Sequence, residues 1–162
     1  MTAAHHHQLE AFAGRRPGWK LIEVPEEHAH YARRFIVVMD VTYSLLVRHD
    51  PDRPAVRDCW KSSYLSAGNR LHEMWAGTFD DVTAEIVRVE KNLDTVNKLR
   101  ECRSVPAAAE LMEPLKGADV RFIADVLAMG TAGSVSDLRA RIVRRTCGAR
   151  LQFDALSDYK RW

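Results

Sequence analysis

The chain has 162 residues, 46% of them hydrophobic and 28% charged, with 24 Lys and Arg against 22 Asp and Glu for a net charge of +2. That is one domain's worth of ordinary globular composition, able to bury roughly two thirds of its unfolded surface, and it excludes disordered, collagen-like and disulfide-scaffold classes. A net charge this small excludes nucleic-acid binding by overall charge, so any such surface must come from uneven distribution. Arginine outnumbers lysine 18 to 6, a bias that a GC-rich genome produces as readily as phosphate recognition does.

Cys59, Cys102 and Cys147 lie more than forty residues apart without CxxC spacing. They read as reduced thiols and argue against a disulfide framework or zinc knuckle. No apolar run approaches the ~18 residues of a membrane span. Met1 to His7 lacks the apolar core of a signal peptide. The expectation is a cytoplasmic protein with no membrane partner.

In chain order, residues 1–24 read as an N-terminal arm, broken at Gly14-Arg15-Arg16-Pro17-Gly18 and followed by a short apolar segment, Trp19 to Val24. Pro25-Glu26-Glu27 suits a helix start. Tyr31, Phe35, Val38, Met39, Thr42, Leu45 and Leu46 then follow at helical spacing, which predicts a helix over 25–48; Phe35–Val41 also tolerates a strand. After the turn Asp50-Pro51-Asp52-Arg53-Pro54, a stripe through Val56, Trp60, Tyr64, Leu71 and Trp75 predicts a helix over 54–76. Thr78 and Asp81 form a capping box for a third helix over 79–103. Its Phe79, Val82, Ile86, Val89, Leu93 and Val96 make a coiled-coil-like seam. The expected fold class is all-α, with an antiparallel helical bundle over 25–103.

Residues 104–162 change to short helices, opened by Ser104-Val105-Pro106, with a boundary near 104–118. From Arg139 to Trp162 seven Lys or Arg stand against two Asp. Residues 118–147 read as helix, extended turn, helix. Val120, Ile123, Val126 and Leu127 form the first apolar face, and Leu138 and Ile142 the second. With Gly133, Ser134, Asp137, Leu138, Arg141 and Ile142 in the pattern G-[ST]-x-x-[DE]-L-x-x-R-[IL], this unit resembles a SAP motif, the small helix-extension-helix nucleic-acid-binding module. It departs from that pattern at Val135, where a basic residue is usual, and at Met129-Gly130, where the family has Gly-Leu. The resemblance implies nucleic-acid binding at the start of the second helix, and no catalysis. In size and helical layout the chain is also similar to the small helical subunits of CRISPR effector complexes.

At about 100° per residue, Arg141, Arg144 and Arg145 share an arc beside the Leu138–Ile142 stripe, with Arg139 on its other flank. The candidate nucleic-acid-binding residues are therefore Ser134, Ser136, Arg139, Arg141, Arg144, Arg145 and Arg150. Tyr159 and Trp162, beside Lys160 and Arg161, either stack on bases or dock as an apolar tail.

No cofactor, catalytic residue or metal ligand set is expected. On a helix the rings of His28 and His30 diverge, so the two do not share a metal, and Glu26–His30 is a helical pair. His5-His6-His7 is either a weak metal binder or a cloning remnant. His49-Asp50 has the order of a metal phosphohydrolase dyad but falls in a turn, and His72-Glu73 lacks the second histidine of HExxH. The expected function is thus a non-enzymatic nucleic-acid-binding helical subunit of a larger nucleoprotein complex, with other protein subunits as partners. The alternative is a protein–protein adaptor using the 79–103 seam, with a metal phosphohydrolase a distant third.

Overall fold

The computed structural model describes residues 3–25, 29–50, 59–66 and 70–159, with the backbone alone described at 29, 70–74 and 148–159. It corrects the all-α expectation. Helix α1 (Ala3–Gly14) leads into five strands, β1 (Lys20–Val24), β2 (Ala29–Val38), β3 (Val41–His49), β4 (Trp60–Ser66) and β5 (Arg70–Gly77). Helices α2 (Phe79–Glu101), α3 (Val105–Met112), α4 (Gly117–Val126) and α5 (Val135–Tyr159) follow. The strands form one antiparallel meander in sequential order, so this is an α+β protein.

The helices expected over 25–48 and 54–76 are two hairpins. The error has a definite cause: residues four apart share a face in a helix and also in a strand. Tyr31 and Phe35, or Trp60 and Tyr64, fit both periods. The discriminating residues are those two apart, and Ala32, Ile36 and Val38 are all buried on one side of β2 while Phe35 and Val37 are exposed on the other. The β-branched run Ile36-Val37-Val38 also suits a pleated strand. Between β2 and β3, Met39 and Asp40 take φ of 52° and 64°, with Val38 opposite Val41. That is the two-residue turn whose twist matches a hairpin. The turn read at 50–54 lies, beyond Asp50, outside the described residues. Asp50 itself is buried and pairs with Lys61 at 2.7 Å.

The third long helix is present as α2. Thr78 Oγ1 accepts from the Asp81 N–H at 3.2 Å, and the Asp81 carboxylate accepts from the Thr78 N–H at 3.2 Å and its hydroxyl at 2.7 Å. Val82, Ile86, Val89, Leu93 and Val96, the seam expected along this helix, are all fully buried within the chain itself. The similarity to small helical CRISPR subunits rested on an all-helical layout, which the five-stranded sheet replaces here.

The chain divides into two compact units, Met1–Glu90 and Lys91–Trp162, with the division inside α2. In the first unit α1 and the start of α2 cover one face of the sheet, over Ala32, Leu45, Val47 and Trp60. Glu90 is buried there and accepts from Trp19 Nε1 at 2.7 Å, from Arg16 at 3.3 Å and from Arg34. This hub ties the segment after α1 and strand β2 to α2. The second unit buries Leu99, Met112, Ile123, Leu138 and Ile142 among its helices, with the Asn92 amide donating to Asp119 at 2.9 Å. Among the described residues, no helix is long and apolar enough to cross a membrane.

Candidate nucleic-acid interface

Helix α4, an extended stretch and helix α5 occupy the segment expected to carry phosphate contacts. Ser134 caps α5: its hydroxyl accepts from the Asp137 N–H at 3.1 Å and donates to the Asp137 carboxylate at 2.6 Å. A carboxylate thus sits on the hydroxyl that was to meet a phosphate. Arg139 donates to the Leu115 carbonyl. Arg141 donates to the carbonyls of Gly130 and Ala132, each at 3.1 Å, and pins the loop before α5. Ser136, Arg144 and Arg145 are exposed. Arg144, however, lines a groove of about 710 Å³ between α3 and α5 that also holds Glu110 and Glu113. The side chain of Arg150 and the segment 160–162 lie outside the described residues. Of the six described residues, Ser134, Arg139 and Arg141 are thus bonded within their own unit, and Ser136, Arg144 and Arg145 stand exposed.

Within the first unit, a second basic surface lies on the sheet face opposite α1 and the start of α2. Alternation along the strands sends Lys20 and Ile22 of β1, Tyr31, Arg33, Phe35 and Val37 of β2, and Leu46 and Arg48 of β3 away from the helices. Lys61 and Ser63 of β4 and Ala76 of β5 continue it. Cross-strand pairing sets these residues in rows. Ile22, Tyr31, Arg48, Lys61 and Ala76 form one; Lys20, Arg33, Leu46 and Ser63 form the next. Phe35 and Val37 are 57% and 58% exposed, unusual for large apolar side chains in mid-strand.

The Arg33 guanidinium lies over the Phe35 ring at 4.2 Å and donates to Ser44 at 2.9 Å, which holds cation and ring side by side. Among the described strand side chains, this face carries four cations and no Asp or Glu; Glu23 and Arg34 point to the helix side. Lys61 is the one with an ionic partner, Asp50 at the end of β3. Cations next to aromatic rings can take phosphates and stack bases.

This surface was missed because its β2 to β5 residues were assigned to helices and Lys20 and Ile22 to an N-terminal arm. The signal was available in alternation, in Tyr31-x-Arg33-x-Phe35 and Leu46-x-Arg48, which only a strand places on one face. No family model, no curated protein and no solved structure matches the chain.

Proposed function

We propose that this chain is a non-enzymatic protein that binds single-stranded nucleic acid on the open face of its antiparallel sheet. The observation that carries this reading is the interleaving of Lys20, Arg33 and Arg48 with Tyr31 and Phe35 on one face, with no carboxylate among its described strand side chains. The cations take backbone phosphates, and the two rings offer stacking platforms to bases that are already unpaired. A duplex keeps its bases stacked inside and gains only the ionic part, so single strands bind more tightly. The arginines of α5 are secondary, because Arg139 and Arg141 are spent on carbonyls of their own unit.

Fluorescence anisotropy with labelled single-stranded and duplex DNA and RNA, over a range of salt, tests this. Replacing Lys20, Arg33 and Arg48 together by alanine is expected to lower the slope of log affinity against log salt by about two, at ~0.7 per single-strand phosphate. Tyr31→Ala and Phe35→Ala are each expected to weaken binding about tenfold or more with little change in slope. Affinity and slope unchanged in both sets would overturn the reading. So would a dimer that Phe35→Ala dissociates in a protein with no affinity for nucleic acid, since the face would then be a self-association surface.

A further inference from the structure

On the helix-covered side of the sheet, three elements bring metal-ligating groups together. His6 comes from α1, Glu23 from β1 and His30 from β2, and one ligand atom of each lies within 4.8 Å of the other two. Glu23 and His30 are direct cross-strand partners, with His30 Nδ1 at 3.7 Å from the carboxylate, too far for a hydrogen bond. The His6 ring stands edge-on to the His30 ring at 4.7 Å between centroids.

A second observation points the same way. The Nδ1 atoms of His6 and His30 are both buried and have no hydrogen-bond partner. A buried imidazole nitrogen is normally satisfied, and an orphaned one asks what fills its lone pair. Two such nitrogens beside one carboxylate have a common answer. The helical reading of 25–48 excluded a metal because His30 was paired with His28; the strand instead pairs it with Glu23 and turns it toward α1.

We propose that His6, Glu23 and His30 form a binding site for a divalent transition-metal ion of the Zn²⁺ type, which staples α1 to the edge of the sheet. Two imidazoles and a carboxylate are borderline nitrogen and oxygen donors of the kind Zn²⁺ takes, leaving a fourth position for water. Metal–ligand bonds of ~2.0–2.2 Å bring donors to within about 3.5 Å of each other, so modest rotations of the three side chains close the site. Each ligand is a separate element, so the ion cross-links α1, β1 and β2 and stabilises the folded chain by mass action. This site is independent of the outer sheet face and of any nucleic acid.

Full-length protein, stripped with a chelator and dialysed, is titrated with Zn²⁺ against a chromophoric competitor. Amide exchange in α1 is followed with and without the ion. Expected are one equivalent bound, slower exchange across Ala3–Gly14, and a loss of affinity of about tenfold or more in His6→Ala, His30→Ala and Glu23→Gln. Glu23 is exposed on an edge strand, so Glu23→Gln tests the site even where a histidine variant folds poorly. His7→Ala, one residue along, is expected to bind as the parent does. Absence of stoichiometric Zn²⁺ binding would overturn the proposal. So would parent-like affinity in both His30→Ala and Glu23→Gln, or a loss in His7→Ala equal to theirs, because the histidine run alone would then hold the ion.

Discussion

Two regions of this protein are rich in positive charge, and their described side chains use it differently. The segment from Arg139 onward carries seven Lys or Arg against two Asp. The described outer face of the sheet carries four, drawn from strands spread over forty residues of chain. Among the described side chains, the first region spends Arg139 and Arg141 on backbone carbonyls and leaves Arg144 and Arg145 exposed, whereas the second sets Lys20, Arg33 and Arg48 beside the rings of Tyr31 and Phe35. The backbone explains the contrast. Helix ends and the loops between short helices leave carbonyls without partners, and a nearby guanidinium satisfies them. Arg139 and Arg141 do so for Leu115, Gly130 and Ala132. In a sheet the ladder consumes the backbone groups, so an arginine on a strand meets only its neighbouring side chains and water.

If that contrast is right, charges spent inside the fold govern stability and leave binding alone. The largest effect is expected at Glu90, which gathers Arg16, Trp19 and Arg34. Glu90→Ala should cost about 3–5 kcal/mol in urea denaturation, because it removes the buried carboxylate on which Arg16, Trp19 and Arg34 converge. A loss under ~1 kcal/mol would mean that water replaces the carboxylate freely. Arg139→Ala comes next. Removing the donor to the Leu115 carbonyl should cost about 1–3 kcal/mol of stability and leave single-strand affinity unchanged. Weakened binding with intact stability would reverse the assignment of roles and return the phosphate contacts to α5.

The hairpin joining β2 and β3 offers a smaller effect of opposite sign. Met39 holds a positive φ that its side chain disfavours, and Asp40 holds another. Met39→Asn together with Asp40→Gly should raise stability by about 1 kcal/mol, seen as a higher melting temperature. A fall in melting temperature would show that the Met39 side chain, 39% exposed, contributes more by packing than its backbone loses.

What was legible in the sequence divides along the same line as the physics. Thr78 and Asp81, Ser104 and Ser134 are local signals, and each acts at a helix start in the structure. Leu138 and Ile142, read as inward-facing, are fully buried. The strands left a local trace in their alternation, but the pairing of the sheet was illegible for a non-local reason. Its register depends on partners far along the chain, and Trp60/Tyr64 or Tyr31/Phe35 obey helical and strand periods alike. Arg139 and Arg141 were visible as a basic arc, but nothing in the spacing reveals that carbonyls of Leu115, Gly130 and Ala132 lie within reach. The His6–Glu23–His30 cluster needed three elements in place before any of its members was a candidate.

The smallest effect tests a helix start in the sheet-bearing unit through pH. Two hydrogen bonds from Thr78, one from its hydroxyl and one from its backbone N–H, hold the Asp81 carboxyl below the ordinary aspartate range. Both favour the ionised form in the folded protein only, so the folded state binds its proton at lower pH than the unfolded chain does. The resulting stabilisation is complete above the unfolded value near 3.8 and disappears as pH falls through the lower folded value. Acidification below the ordinary aspartate range is therefore expected to loosen the first turn of α2, a modest effect because the pair is exposed. Carbon-detected NMR titration of the Asp81 carboxyl reads it directly. Thr78→Val removes the hydroxyl bond, the larger cause, and keeps the N–H, so the midpoint should rise most of the way to that of an unperturbed aspartate. A midpoint unmoved by Thr78→Val would show that the backbone bond and the positive end of α2 carry the shift.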